Sequence, residues 1–145
     1  MGGFNLTQLH IQAPHLFDKI ALTCPAMAIQ SPYSRFRDVN QFISRNNARR
    51  LYVLKAMSLS KKYFSTPEQW NHYSPLEYLK RYYVKTSNTE FYISGVTNDE
   101  FGFLEGDIAL AEQLYYLGYP VKWETVKGNH CDINSLSIAN FVTRP

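Results

Sequence analysis

Cysteine is scarce, with two in 145 residues, at Cys24 and Cys131. Two thiols cannot build a disulfide framework or a four-cysteine zinc site, and the plain expectation is a pair of small buried hydrophobes. Long apolar runs are missing too: no stretch approaches the roughly 18 residues that a membrane-spanning helix needs. The opening residues Met1-Gly2-Gly3-Phe4-Asn5 have no basic region ahead of an apolar core, so no secretory leader is expected on the chain as given. Charged residues make up only 19% against 45% hydrophobic, which excludes a disordered or collagen-like polymer. No linker rich in Gly, Ser or Pro divides the chain, and no internal repeat is visible. What remains is one soluble, cytoplasmic domain of ordinary size, with 11 Tyr and 9 Phe to fill its core.

The net charge of +3 is unevenly placed. Residues 35–85 hold 11 Lys+Arg against 3 Asp+Glu, while the rest of the chain carries 4 basic and 9 acidic residues. A basic face needs aromatics able to stack if it is to hold nucleic acid, and Tyr33, Phe36, Tyr52, Tyr63, Tyr82 and Tyr83 lie nearby. A solvated helical face explains the same charges.

Phe4, Leu6, Leu9 and Ile11 lie near helical spacing, and Pro14 limits that helix. Lys19 to Cys24 is a short apolar run stopped by Pro25, the form of a buried parallel strand. From Asp38 to Phe64 an apolar stripe of Phe42, Ala48, Leu51, Leu54 and Leu59 predicts basic helical structure. Thr66-Pro67-Glu68 marks a helix start, and Ser74-Pro75-Leu76-Glu77 another, with Ser74 and Glu77 at capping-box spacing. A strand over 90–94 ends at Gly95, a helix follows from Leu104 to Leu117, and Gly118 stands where a C-terminal glycine belongs. Val121 to Val126 alternates in period two, and a last helix runs over about 133–141. Strand, helix, strand, helix with short turns is the rhythm of an α/β fold with a parallel sheet.

Two loops stand at the carboxyl ends of predicted strands, where binding and catalytic groups gather in open α/β sheets. One holds Asn98-Asp99-Glu100-Phe101 and the other Gly128-Asn129-His130-Cys131. An acid on the first could fix the tautomer of His130 on the second and stabilise its imidazolium during base catalysis. Both Asp99 and Glu100 are candidates, and both could simply cap the next helix. His10, His15 and His72 lack such a loop context.

The segment Phe91-Tyr92-Ile93-Ser94-Gly95-x-x-Asn98-Asp99-Glu100-Phe101, followed by a helix and Gly128-Asn129-His130, resembles the last two triad positions of α/β-hydrolase serine esterases. Ser74-Pro75-Leu76 resembles the segment before their acid-bearing strand, and Phe17 to Leu22 the strand after their nucleophile helix. Met1-Gly2-Gly3 opening into a helix is similar to the second half of the nucleophile elbow Gly-x-Ser-x-Gly-Gly. The resemblance covers nearly the whole chain but only the C-terminal half of the family's domain. It implies about three parallel strands with flanking helices: a post-elbow helix and strand (1–30), a helical lid-like insert (31–86) and a strand-helix-strand-helix unit (87–145). It implies an ester or thioester substrate, Asp99 as the acid, His130 as the base, and Met1 and Gly2 as remnants of the elbow and oxyanion hole. The serine would stand one residue before Met1, so the chain as given is expected to be silent alone.

On this resemblance the basic segment is a lid in preference to a nucleic-acid surface. A strand at 19–24 without its neighbour predicts self-association or pairing with the missing N-terminal half; a binding module derived from a hydrolase is the alternative. No cofactor or metal is expected, because His130-Cys131-Asp132 is too compact for adjacent side chains to share an ion. Cys131 and His130 are expected to point apart, and Cys24 to lack an adjacent base.

Overall fold

The computed structural model describes residues 2–82, 85 and 87–144; Met1 and Tyr83, both named above, lie outside them. Three strands form one parallel sheet in the order β1-β2-β3, with β1 at Lys19–Thr23, β2 at Glu90–Asn98 and β3 at Val121–Asn129. The mixed α/β class and the three parallel strands are as expected from the sequence. Ile20 pairs with Phe91 and Leu22 with Ile93, so these four side chains share one face of the sheet. Against that face pack α1 (Gly2–Gln12), α5 (Pro75–Tyr82) and α6 (Phe103–Tyr116). Leu76, Leu79, Leu110 and Leu114 are buried there. On the opposite face Tyr92 meets Phe141 of α7 (Ser135–Thr143), with ring centres 5.8 Å apart. The alternation that forms strands therefore also distributes helices to both faces.

Strand β2 continues to Asn98, four residues beyond the sequence expectation, because β3 supplies partners that far: Gly95 pairs with Thr125, Val96 with Val126 and Asn98 with Asn129. The ladder shifts register between Val96 and Asn98. Gly118, with φ of 86°, follows α6 in the left-handed conformation and turns the chain into β3.

The basic stretch from Asp38 to Phe64 is helical, as expected, and consists of two helices. α2 (Phe36–Arg45) and α3 (Arg50–Tyr63) are separated by a turn at Asn46-Asn47. Asn47 takes a left-handed φ of 48°, which asparagine tolerates better than most residues, and the Asn46 side chain bonds back to the Phe42 carbonyl. Val39, Phe42 and Val53 form a small second core between these helices. α4 (Pro67–Tyr73) starts as expected, with the Gln69 N–H donating to Thr66 Oγ1, a cap worth about 1 kcal/mol. Glu77 does not turn back towards Ser74. It pairs with Lys80 and Arg81 one turn on, because on this exposed helix face the cations sit at favourable three- and four-residue spacing.

Acids from outside the basic segment meet its cations: Arg45 pairs with Glu105 and Arg49 with Glu100. Two of the nearby aromatics carry its cations, with Arg50 over Phe36 and Lys61 over Tyr33. Among the described residues no helix is long and apolar enough to cross a membrane.

Candidate functional site

The pairing of Asn98 with Asn129 places the next residue of each strand, Asp99 and His130, side by side at the carboxyl end of the sheet. Asp99 is 5% exposed. Its Oδ1 accepts the Phe101 N–H at 2.8 Å, and its backbone carbonyl accepts the Gly102 N–H at 3.0 Å. These bonds hold the carboxylate in the tight turn before α6. Its Oδ2 is 3.1 Å from His130 Nδ1. With Nδ1 carrying the proton and donating it to Asp99, the lone pair falls on Nε2, for which no hydrogen-bond partner is present among the described residues. Glu100, the other candidate acid, faces Arg49 at 3.4 Å instead.

Aromatic rings join the histidine to the helices of the basic segment. Phe101 lies 4.7 Å from His130 and 5.2 Å from Tyr52 of α3, centre to centre. The Arg49 N–H donates to the Glu100 carbonyl at 2.8 Å. The start of α3 is thus tied directly to the loop that bears the acid.

The elbow-like start is less complete. Met1 lies outside the described residues, and Gly2 has open space where a Cβ would be. Packing demands glycine at the next position: a Cβ on Gly3 would stand 2.5 Å from the Pro25 Cα. The remaining histidines are placed elsewhere. His10 is buried with Nε2 3.3 Å from the Tyr119 hydroxyl, His72 stacks edge-on against Tyr73, and His15 is exposed. The described surface hollows also lie away from the pair: one is lined by Glu68, His72 and Arg81, another by Tyr115, Tyr116 and Trp123.

The cysteines depart from the sequence expectations. Cys24 is buried, but Cys131 is exposed, and its thiol lies 3.2 Å from the Cys24 sulfur. Cys24 Sγ is also 3.5 Å from His130 Nδ1, so an imidazole does stand beside it. The expectation that Cys131 and His130 point apart assumed an extended loop. Residues 129–132 instead form a turn closed by the Asp132 N–H to the Asn129 carbonyl, and Cys131 has a φ of 65°. Cys24, at φ 50°, and Ala26, at φ 60°, are in the same sparsely populated region. Burial pushes the Cys24 thiol above its ordinary pKa, reinforced by the bond to Cys131 and the nearby Asp99.

A second buried acid lies behind the first. Asp107 of α6 is fully buried; its Oδ1 accepts the Met27 N–H at 3.1 Å and its Oδ2 has no partner among the described residues. Burial pushes it up to about 8, the Met27 bond opposes that, and the charge of Asp99 adds to the rise. A neutral Asp107 spares Asp99 a second buried negative charge.

Sequence reasoning reached His130 and the candidates Asp99 and Glu100 through their positions after strands, and the resemblance preferred Asp99. It missed the sulfur pair and Asp107. The one signal for the pair was the predicted placement of Cys24 at a strand end, in the same sheet as the loop of His130. The chain matches no family model, no curated protein and no solved structure.

Proposed function

We propose that the chain carries the acid–histidine part of a serine-esterase centre of the α/β-hydrolase kind, acting on an ester or thioester carbonyl. The observation that carries the reading is the 3.1 Å contact between Asp99 Oδ2 and His130 Nδ1 at the ends of neighbouring parallel strands. In this arrangement Nε2 takes the proton of an attacking hydroxyl and later returns it to the leaving group. Asp99 fixes the tautomer and stabilises the imidazolium. The helical insert, stacked through Tyr52 and Phe101, would form a wall beside the base.

Cys24 does not serve as the nucleophile in this reading. Its sulfur lies on the Nδ1 side of the ring, where the N–H is donated to Asp99, and its raised pKa disfavours the thiolate. On the elbow-like reading of Met1-Gly2-Gly3, the hydroxyl would be that of a serine one position before Met1. Reading the codons upstream of Met1 is the first check, and an in-frame Gly-x-Ser is expected. In a chain so extended, His130→Ala should lower kcat/KM for p-nitrophenyl acetate by about 10²–10⁴-fold, the usual contribution of a positioned base. Turnover that survives His130→Ala in the extended chain would sink the reading. So would His130-dependent turnover by residues 1–145 alone, because no hydroxyl among the described residues bonds to His130.

A further inference from the structure

We propose that Cys24, His130 and Cys131 form a binding site for a soft divalent cation, zinc by preference, at the carboxyl end of the sheet. The inference goes beyond the acyl-transfer reading and does not depend on it. One ligand atom from each of the three residues falls within 4.8 Å of the others. The donor set, two sulfurs and an imidazole nitrogen, is of the softness that suits zinc.

Two of the ligand separations lie close to those of a tetrahedron. Zinc–sulfur bonds of about 2.3 Å and zinc–nitrogen bonds of about 2.0 Å require a sulfur–nitrogen edge of about 3.5 Å and a sulfur–sulfur edge of about 3.8 Å. Cys24 Sγ and His130 Nδ1 are 3.5 Å apart, and the two sulfurs are 3.2 Å apart. A cation entering from the exposed Cys131 side therefore has to spread the sulfurs by only about half an ångström. Asp99 Oδ2, 3.1 Å from Nδ1 and 4.0 Å from Cys24 Sγ, stands beside the fourth corner and competes with water for it. Each thiol releases its proton to solvent as the metal binds, and no electrons are transferred.

Three elements converge to make this cluster: the end of β1, the turn after β3 and the acid after β2. Both sulfur-bearing residues hold a positive φ to bring it about. Strain of this kind persists where surrounding structure enforces it, and it gathers at functional positions. Metal on Nδ1 requires the ring proton to sit on Nε2 instead of bonding to Asp99, so the occupied site and the acid–histidine pair are alternative states of the same residues. A Cys24–Cys131 disulfide would instead need the sulfurs to close to about 2.05 Å and would leave His130 without a part in the cluster.

The test is titration of the reduced full chain with cobalt(II) under anaerobic conditions, followed by zinc. One equivalent of cobalt is expected to give thiolate-to-metal charge transfer and the intense visible bands of a tetrahedral ion, both abolished by one equivalent of zinc. Cys24→Ser and Cys131→Ser should each weaken zinc binding at least about tenfold, with loss of one sulfur from the charge-transfer intensity. The wild-type spectrum decides the matter even where a variant fails to fold. Cobalt bands without sulfur charge transfer would overturn the proposal. So would binding retained in the double serine variant, or a reduced protein that takes up no metal and forms only the disulfide in air.

Discussion

Between about pH 4 and about pH 8 the folded chain is expected to lose about 5 kcal/mol of stability through one carboxyl group, that of Asp107. The ordinary value of 3.8 applies to the unfolded chain, and burial raises the folded value to about 8. Within that window the native state holds a proton that the unfolded state has released. The proton-linked stability is therefore complete below about pH 4 and gone once pH has risen through about 8. Denaturant midpoints at about pH 5 and about pH 8 should fall accordingly. Asp107→Asn, which cannot ionise, should remove that slope, whatever its stability at any single pH. A wild-type profile with the same slope as the asparagine variant would show that Asp107 is not the buried acid responsible.

Replacing Gly106 by alanine should destabilise the fold by about 3–5 kcal/mol, near the upper end for a single methyl group. Gly106 lies in α6 against the segment after β1. A Cβ there would stand 2.6 Å from the Met27 carbonyl carbon, closer still to its oxygen, and 3.2 Å from the Ile29 nitrogen. These are backbone atoms with no rotamer to change, so helix and segment must part. Parting them also strips Asp107 of its bond from Met27, leaving both carboxyl oxygens unpaired. Gly2→Ala is the matched control, since nothing lies within 4 Å of its Cβ position. Equal unfolding midpoints for the two alanine variants would refute the close approach at Gly106.

The three strands and most helices were legible because apolar period and breakers agree locally. Lys19 to Cys24 is bounded by Pro25, and the helix at 103–116 is bounded by Gly118. His130 and an acid at 99 or 100 were legible because each follows a strand, and parallel neighbours bring such positions together; that Glu100 faces Arg49 is seen only in the fold. The division of α2 from α3 was hidden because Asn46-Asn47 interrupts no apolar spacing; only the left-handed turn at Asn47 reveals it. The sulfur cluster depends on positive φ at Cys24 and Cys131, which neither residue type announces. Asp107, near the start of a helix, reads as an ordinary solvated acid. What buries it is the approach of Met27 across Gly106, a contact between segments some eighty residues apart.

The register of the sheet also orders its assembly in time. Phe91 pairs with Val121 across a single helix, whereas Lys19 pairs with Glu90 across all of α2 to α5. Closing the longer loop costs about 0.8 kcal/mol more in chain entropy, and contacts between distant residues form late. Pulsed amide exchange during refolding should protect β2 and β3 before β1. The acid and the histidine, both borne by the early unit, would meet first. Cys24 arrives with β1, so the buried thiol would join a pair that is already in place.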